Sequence, residues 1–176
     1  MTGMHMPDLM QRIRDLDEDV SLIFAKDVRF QVVIVGGSAL VFRNMITRAT
    51  LDIDVLAPDI RLFELMKMYD MNCRVNAYMD NFPYNYEDRL ELIWSGKSID
   101  YYTPSLEDIV ISKLCAGRPE DINDIIEVAD HINWEKLEHL AKADGELRAN
   151  ILSDNSYFNF LGNFEEFEKR YRPCKN

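Results

Sequence analysis

The chain has 176 residues, 47% of them hydrophobic and 29% charged, a balance that supports a packed core and excludes an intrinsically disordered protein. Its formal net charge of −11 argues against a generic nucleic-acid-binding surface, because neutralising phosphates takes lysine and arginine, while leaving room for a local basic pocket. Cys73, Cys115 and Cys174 are far apart with no CxxC spacing, the pattern of free thiols in a reducing compartment.

No apolar run approaches the roughly 18 residues of a membrane span, and "MTGMHMPDLMQRIRDLDED" turns charged too soon for a signal peptide. The expectation is a cytoplasmic protein with no membrane partner. Its length fits one compact domain, with a core over residues 1–130 and a C-terminal helical extension over 131–176 packed on it.

In chain order, residues 7–26 predict an amphipathic helix, with Leu9, Ile13, Leu16, Val20 and Ile23 at helical spacing. "RFQVVIVGG" is a β-branched run ended by glycines, a buried strand and tight turn. "SALVFRNM" follows as a short helix with Ser38 placed to cap it. "TLDIDVLAP" is a strand stopped by Pro58. "DIRLFELMKMYD" predicts a second helix, with Ile60, Phe63, Met66 and Lys67 one turn apart. Residues 72–88 are ambiguous.

"RLELIWSGKSIDYYTP" predicts a hairpin turning at Ser95, Gly96 and Lys97. "SLEDIVISKLCAG" carries a capping box from Ser105 to Asp108 and ends at Gly117. "RPEDINDIIEVADHI" opens a further helix at Pro119. The last 45 residues predict helices joined by a polar loop, "LSDNSYFN". The order implies an α/β (α+β) fold, a small mixed β-sheet flanked by helices.

Two stretches carry the chemistry. In "LDIDVL", strand alternation points Leu51, Ile53 and Val55 one way and Asp52 and Asp54 the other, their roots roughly 7 Å apart. Two carboxylates so placed repel one another unless a cation or arginine neutralises them, and their heads can converge on one hard cation. The plainer alternative is a solvated strand face. In "VGGS", glycines after a buried strand let backbone approach a ligand, and N–H groups at a helix start can hold phosphate. The plainer alternative is an ordinary strand-to-helix turn. The stretch matches neither a Walker A loop, nor G-x-G-x-x-G, nor a nucleophile elbow. His5, His131 and His139 have no partner at zinc-ligand spacing.

Taken together, hydrophobic–Gly–Gly–Ser, residues 39–51, then Asp–Ile–Asp–Val resembles the signature of the DNA-polymerase-β-like nucleotidyltransferase superfamily. "GGSALVFRNMITRATLDIDVL" and "PSLEDIVISKLCAGRPEDINDI" are similar to its AbiEii-type (type IV toxin) branch. The resemblance covers residues 33–58 and 98–126.

It implies a nucleotidyltransferase fold and specific roles. Gly36, Gly37 and Ser38 would hold the triphosphate of a nucleoside triphosphate. Arg48 would sit near phosphate or nucleobase, and Arg48 and Thr50, both nucleotide-binding, would link the glycine turn to the acidic pair. Asp52 and Asp54 would bind Mg²⁺ or Mn²⁺. Asp100, in "SIDYY", would supply the third metal-binding, catalytic carboxylate, with Glu91 on the other hairpin strand as the alternative. Lys113, Arg118 and Asp121 match the second block as further nucleotide-binding residues. Independently, Lys113 shares a helical stripe with Leu106, Ile109, Val110 and Leu114, which aims its ammonium at the core side, where it needs a partner.

The activity implied is transfer of a nucleoside monophosphate to an acceptor hydroxyl on tRNA or protein, through two cations that clamp the transfer, in a toxin countered by an antitoxin. The alternative is a nucleotidyltransferase-like module that has lost catalysis and serves in nucleotide binding or protein interaction.

Overall fold

The computed structural model describes residues 3–56 and 58–174. The chain divides into two compact units. One takes in residues up to 77 together with Leu90–Pro104; the other holds Tyr78–Arg89 and residues from 105 onward.

The first unit is a five-stranded mixed sheet with helices. Helix α1 (Met6–Ile23) starts where the His5 N–H donates to Asp8 Oδ2 at 3.0 Å, and Pro7 sits in its first turn, where a missing N–H is harmless. Strand β1 (Phe30–Val35) runs into helix α2 (Gly36–Phe42). Strand β2 (Ile53–Leu56), a 3₁₀ turn at Ile60–Leu62, helix α3 (Phe63–Lys67) and the two-residue strand β3 (Met71–Asn72) follow. Strands β4 (Glu91–Ser95) and β5 (Ile99–Thr103) form the expected hairpin.

The sheet order is β3-β2-β1-β5-β4. β1 runs antiparallel to β2 and parallel to β5, and β2 runs parallel to β3. Val32 and Ile34 of β1 and Ile99 and Tyr101 of β5 are fully buried on one face, where the Tyr101 hydroxyl donates to the Ile13 carbonyl at 3.0 Å. Leu9, Ile13, Leu16 and Val20 are the buried stripe of α1, each contributing about 1.5–3 kcal/mol by leaving water.

The far end of the hairpin is held by one carboxylate. Asp17, buried on α1, accepts the N–H groups of Lys97 at 2.7 Å, Ser98 at 2.9 Å and Ile99 at 2.8 Å. Gly96 is required beside it, since a Cβ there would lie 2.3 Å from Asp17 Cγ.

In the second unit, helix α4 (Leu106–Ala116) is capped by Ser105 and ends at Gly117, whose φ of 61° is the left-handed stop expected of it. Helices α5 (Pro119–Glu127), α6 (Trp134–Ala141) and α8 (Asp154–Tyr171) pack on α4, and the short α7 (Glu146–Asn150) packs on α6. Tyr157, Phe160, Phe164 and Phe167 form the buried stripe of α8. Asp108, fully buried on α4, takes a forked pair of hydrogen bonds from Arg89, Nε at 2.9 Å and Nη2 at 2.7 Å, and a third from Ser105.

Four local expectations are corrected. Ser38 lies inside α2, whose N-cap is Val35. The second helix is a 3₁₀ turn followed by a short helix; of its expected stripe Met66 is buried, while Ile60 is 85% exposed and Leu62 enters the core instead. Leu51 is 66% exposed, since Asp52 and Leu51 lie in a bend before β2 rather than in the strand. "LSDNSYFN" is mostly helix: Ser153 accepts the Ser156 N–H at 3.1 Å and starts α8 there. No helix among the described residues is long and apolar enough to cross a membrane.

Asp17→Ala leaves three N–H groups at the buried hairpin end without their acceptor. At about 1–3 kcal/mol for each buried donor so orphaned, urea denaturation is expected to show a loss of roughly 3 kcal/mol or more.

Candidate functional site

β1 delivers the chain to Gly36, whose φ is +66°. A Cβ on Gly36 would lie 2.7 Å from Asp54 Oδ2, and one on Gly37 would lie 2.6 Å from Arg48 Nη2. The turn is therefore bare backbone between a carboxylate and a guanidinium; a side chain at Gly36 would be strained by the positive φ as well as crowded, and one at Gly37 would have to displace the end of Arg48. Ser38 is fully buried. Its hydroxyl donates to the Val35 carbonyl at 2.8 Å and accepts the Asp54 N–H at 3.2 Å, tying the turn to the acidic strand.

The antiparallel ladder places Asp54 directly across from Val35, the last residue of β1. Asp52 precedes the strand, held by the bridge between Met4 and Thr50 and by the Thr50 hydroxyl, which donates to the Asp52 carbonyl at 3.1 Å. Arg48 is half-buried and donates to the Ala49 carbonyl at 3.2 Å. Both carboxylates are half-buried and meet at one atom: Asn72 Nδ2 lies 2.5 Å from Asp52 Oδ2 and 3.1 Å from Asp54 Oδ1. Asn72 stands across from Asp54 on β3.

Gly36, Gly37, Ser38, Arg48, Thr50, Asp52 and Asp54 thus lie in one neighbourhood. The expected third carboxylate does not join them. Asp100 faces Gln31 on β1, four positions before the Val35 that faces Asp54, about 13 Å away along the strand. There it accepts hydrogen bonds from Arg29 Nη2 and the Ser95 hydroxyl, each at 2.5 Å. Glu91 pairs with Arg43 Nη1 at 3.0 Å and stands opposite Thr103, on the other face of the sheet from Asp100. Among the described residues, no group of three or more His, Cys, Asp or Glu side chains is placed to hold a metal ion.

The second-block residues lie in the second unit. Lys113, 4% exposed, donates to Asp121 Oδ1 at 2.7 Å and Asp124 Oδ2 at 2.8 Å. The expected core-side aim of its ammonium is present, and two aspartates supply the pairing. Arg118 Nε donates to Asp121 Oδ2 at 2.6 Å from a largely exposed side chain.

Asn72, Arg29, Asp17 and Asp124 were missed by sequence reasoning. Asn72 lies at the edge of the stretch left ambiguous, and nothing local distinguishes it. Asp124 had a signal, lying one helical turn beyond Asp121.

The Arg29 guanidinium, and after it the Ser95 hydroxyl, hold the Asp100 carboxyl below its ordinary range. A carboxyl lowered in the folded state contributes stability above its unfolded value, near 3.9, and loses it as pH falls through the folded value. Unfolding measured from pH 5 downward is therefore expected to show a shallower acid decline in Asp100→Asn than in the wild type.

No curated protein and no solved structure matches the chain. One family profile does, over residues 11–172: it is described as a nucleotidyltransferase of unknown function (DUF6036). The mixed five-stranded sheet, with a glycine turn leading from β1 and an acidic pair at β2, agrees with that description. The match runs from α1 into the residues just past α8, and the chain belongs to this family of nucleotidyltransferases.

Proposed function

We propose that this protein transfers a nucleoside monophosphate from a nucleoside triphosphate to an acceptor hydroxyl, using a divalent cation bound by Asp52 and Asp54. The observation that carries the reading is that both carboxylates are drawn together at the Asn72 amide beside the turn at Gly36 and Gly37. Two carboxylates are a hard oxygen donor set, which suits Mg²⁺ or Mn²⁺ completing its shell with water and substrate phosphate. Membership of a nucleotidyltransferase family supports the same chemistry.

The residues divide the work by position. Asp52 and Asp54 hold the cation. Gly36 leaves the space that Asp54 occupies, and the Arg48 guanidinium beside Gly37 meets the phosphate oxygens and offsets their charge. Ser38 and Thr50 bind no ligand in this scheme; their hydroxyls hold the turn and the acidic segment in register. A cation held by Asp52 and Asp54 would offset the charge on the oxygens of the transferred phosphoryl group and of the departing pyrophosphate. Positioning and charge neutralisation supply most of the rate.

Two carboxylates suit one protein-bound cation better than the two-cation clamp expected from the resemblance, since Asp100 lies far down β5. Lys113 and Asp121 engage each other in the second unit, so the nucleotide-binding role is assigned here to the first-unit residues.

The AbiEii-type likeness of residues 33–58 and 98–126 supports a toxin role, with tRNA or a protein hydroxyl as acceptor and an antitoxin as partner. A second reading is favoured by the missing third carboxylate: a nucleotide-binding module without turnover.

A transfer assay with each of the four labelled triphosphates, Mg²⁺ or Mn²⁺, total tRNA and total protein tests the proposal. Asp54→Asn is expected to lower transfer by at least about 100-fold, the scale of removing one electrostatic contact to developing charge, with its melting transition retained. Equal label transfer by wild type and Asp54→Asn would exclude the assignment. Cation-dependent nucleotide binding with no pyrophosphate release over every acceptor would favour the module.

A further inference from the structure

We infer that Asn72 is the positioning residue of this site: it holds Asp52 and Asp54 converged without adding a third negative charge, so that a divalent cation binds tightly only together with the phosphates of the nucleotide. The inference rests on the reading above.

Three observations carry it. The amide nitrogen reaches both carboxylates, 2.5 Å from Asp52 Oδ2 and 3.1 Å from Asp54 Oδ1, and an NH₂ group has two hydrogens, one for each. The amide is oriented by its other end. Asn72 Oδ1 accepts the Arg74 N–H at 3.1 Å, so the oxygen is already engaged by a donor and the NH₂ is the end that faces the acids. The backbone places it there: β3 pairs with β2 so that Asn72 stands directly across from Asp54, and facing residues of neighbouring strands share a face.

The chemical consequence follows from charge. Two carboxylates facing a common point repel, and a donor shared between them holds both while leaving their net charge at −2. A carboxylate at position 72 would make a three-carboxylate set able to retain a cation alone, because the number of charged ligands tunes affinity for hard cations. An amide cannot. The missing anionic oxygens then have to come from the triphosphate, which is drawn to the same place by Arg48 beside Gly37. Asn72 thereby makes cation binding conditional on nucleotide, and its effect on the reaction is exerted through the two aspartates.

The test is Mn²⁺ binding to the full chain, read from the paramagnetic resonance signal of free Mn²⁺. It is measured with Mn²⁺ alone and with the α,β-methylene analogues of the four nucleoside triphosphates, with melting curves confirming that each variant is folded. The wild type is expected to bind Mn²⁺ far more tightly with analogue than without. Asn72→Asp, which keeps the size of the side chain, is expected to tighten binding of Mn²⁺ alone by roughly 10–100-fold, because it adds a charged ligand to the set. Asn72→Leu keeps the bulk and removes the donors; it is expected to weaken Mn²⁺–analogue binding by a similar factor while the number of sites stays at one.

Wild-type affinity for Mn²⁺ alone equal to that with analogue would overturn the inference, as would an unchanged affinity for Mn²⁺ alone in Asn72→Asp. Asp54→Asn separates the two levels. If it abolishes Mn²⁺–analogue binding while the Asn72 variants match wild type, the role of Asn72 fails and the nucleotide site stands. If Asp54→Asn binds as wild type does, the nucleotide site itself fails, and the role of Asn72 with it.

Discussion

Two like charges held a few ångströms apart are the constraint around which the first unit is arranged. Asp52 and Asp54 repel one another, and a chain that keeps both must provide donors that make the arrangement tolerable. The strand that carries Asp54 is locked to the end of β1 by the ladder and by the Ser38 hydroxyl. The bend that carries Asp52 is locked by Thr50 and Met4. The two-residue strand β3 exists as a paired element at this point in the sheet, and its second residue is the amide that both acids share. The glycine turn follows from this packing: Gly36 holds a positive φ with Asp54 where its Cβ would go, and the end of Arg48 lies where one on Gly37 would go.

The opposite end of the sheet follows the same physical rule with a different outcome. Asp17 and Asp100 are also carboxylates close to a turn, yet each is saturated by donors from its own surroundings. Asp17 takes three backbone N–H groups, and Asp100 takes Arg29 and Ser95. A carboxylate whose lone pairs are filled by backbone or arginine is a structural clamp. The pair at β2 instead shares one neutral amide donor between two acids and stands beside the glycine turn, which is why the chemistry is assigned there and the stability of the hairpin is assigned to Asp17 and Asp100.

The second unit keeps ions in its interior. Lys113 with Asp121 and Asp124 is a charge cluster inside a helical core, and the half-buried Arg89 holds the fully buried Asp108. Removing one member of such a cluster typically costs about 3–5 kcal/mol, because its partner is left buried and charged. These groups specify how α4 meets α5 and how Arg89 meets α4. Their visibility as a motif, a lysine followed by arginine and aspartates, therefore has a packing explanation within the unit.

Much was determined by the sequence alone, wherever the physics is local. Hydrophobic spacing located α1, β1, the hairpin and the stripe of α4; Ser105 and Gly117 marked both ends of α4. The glycine turn and the paired aspartates were legible because a turn without side chains and a charged strand start are both departures from what burial alone would select. Strand neighbours were not legible. Asp100 and Asn72 are each an acid or amide between ordinary residues, and which of them reaches the acidic pair depends on which strand lies beside β2 and in what register. The sheet order put β3 there and sent Asp100 to the far end of β5. Register is a property of contacts between distant segments, set by packing of whole strands, so only the tertiary structure could decide that the third group at the site is the amide of Asn72.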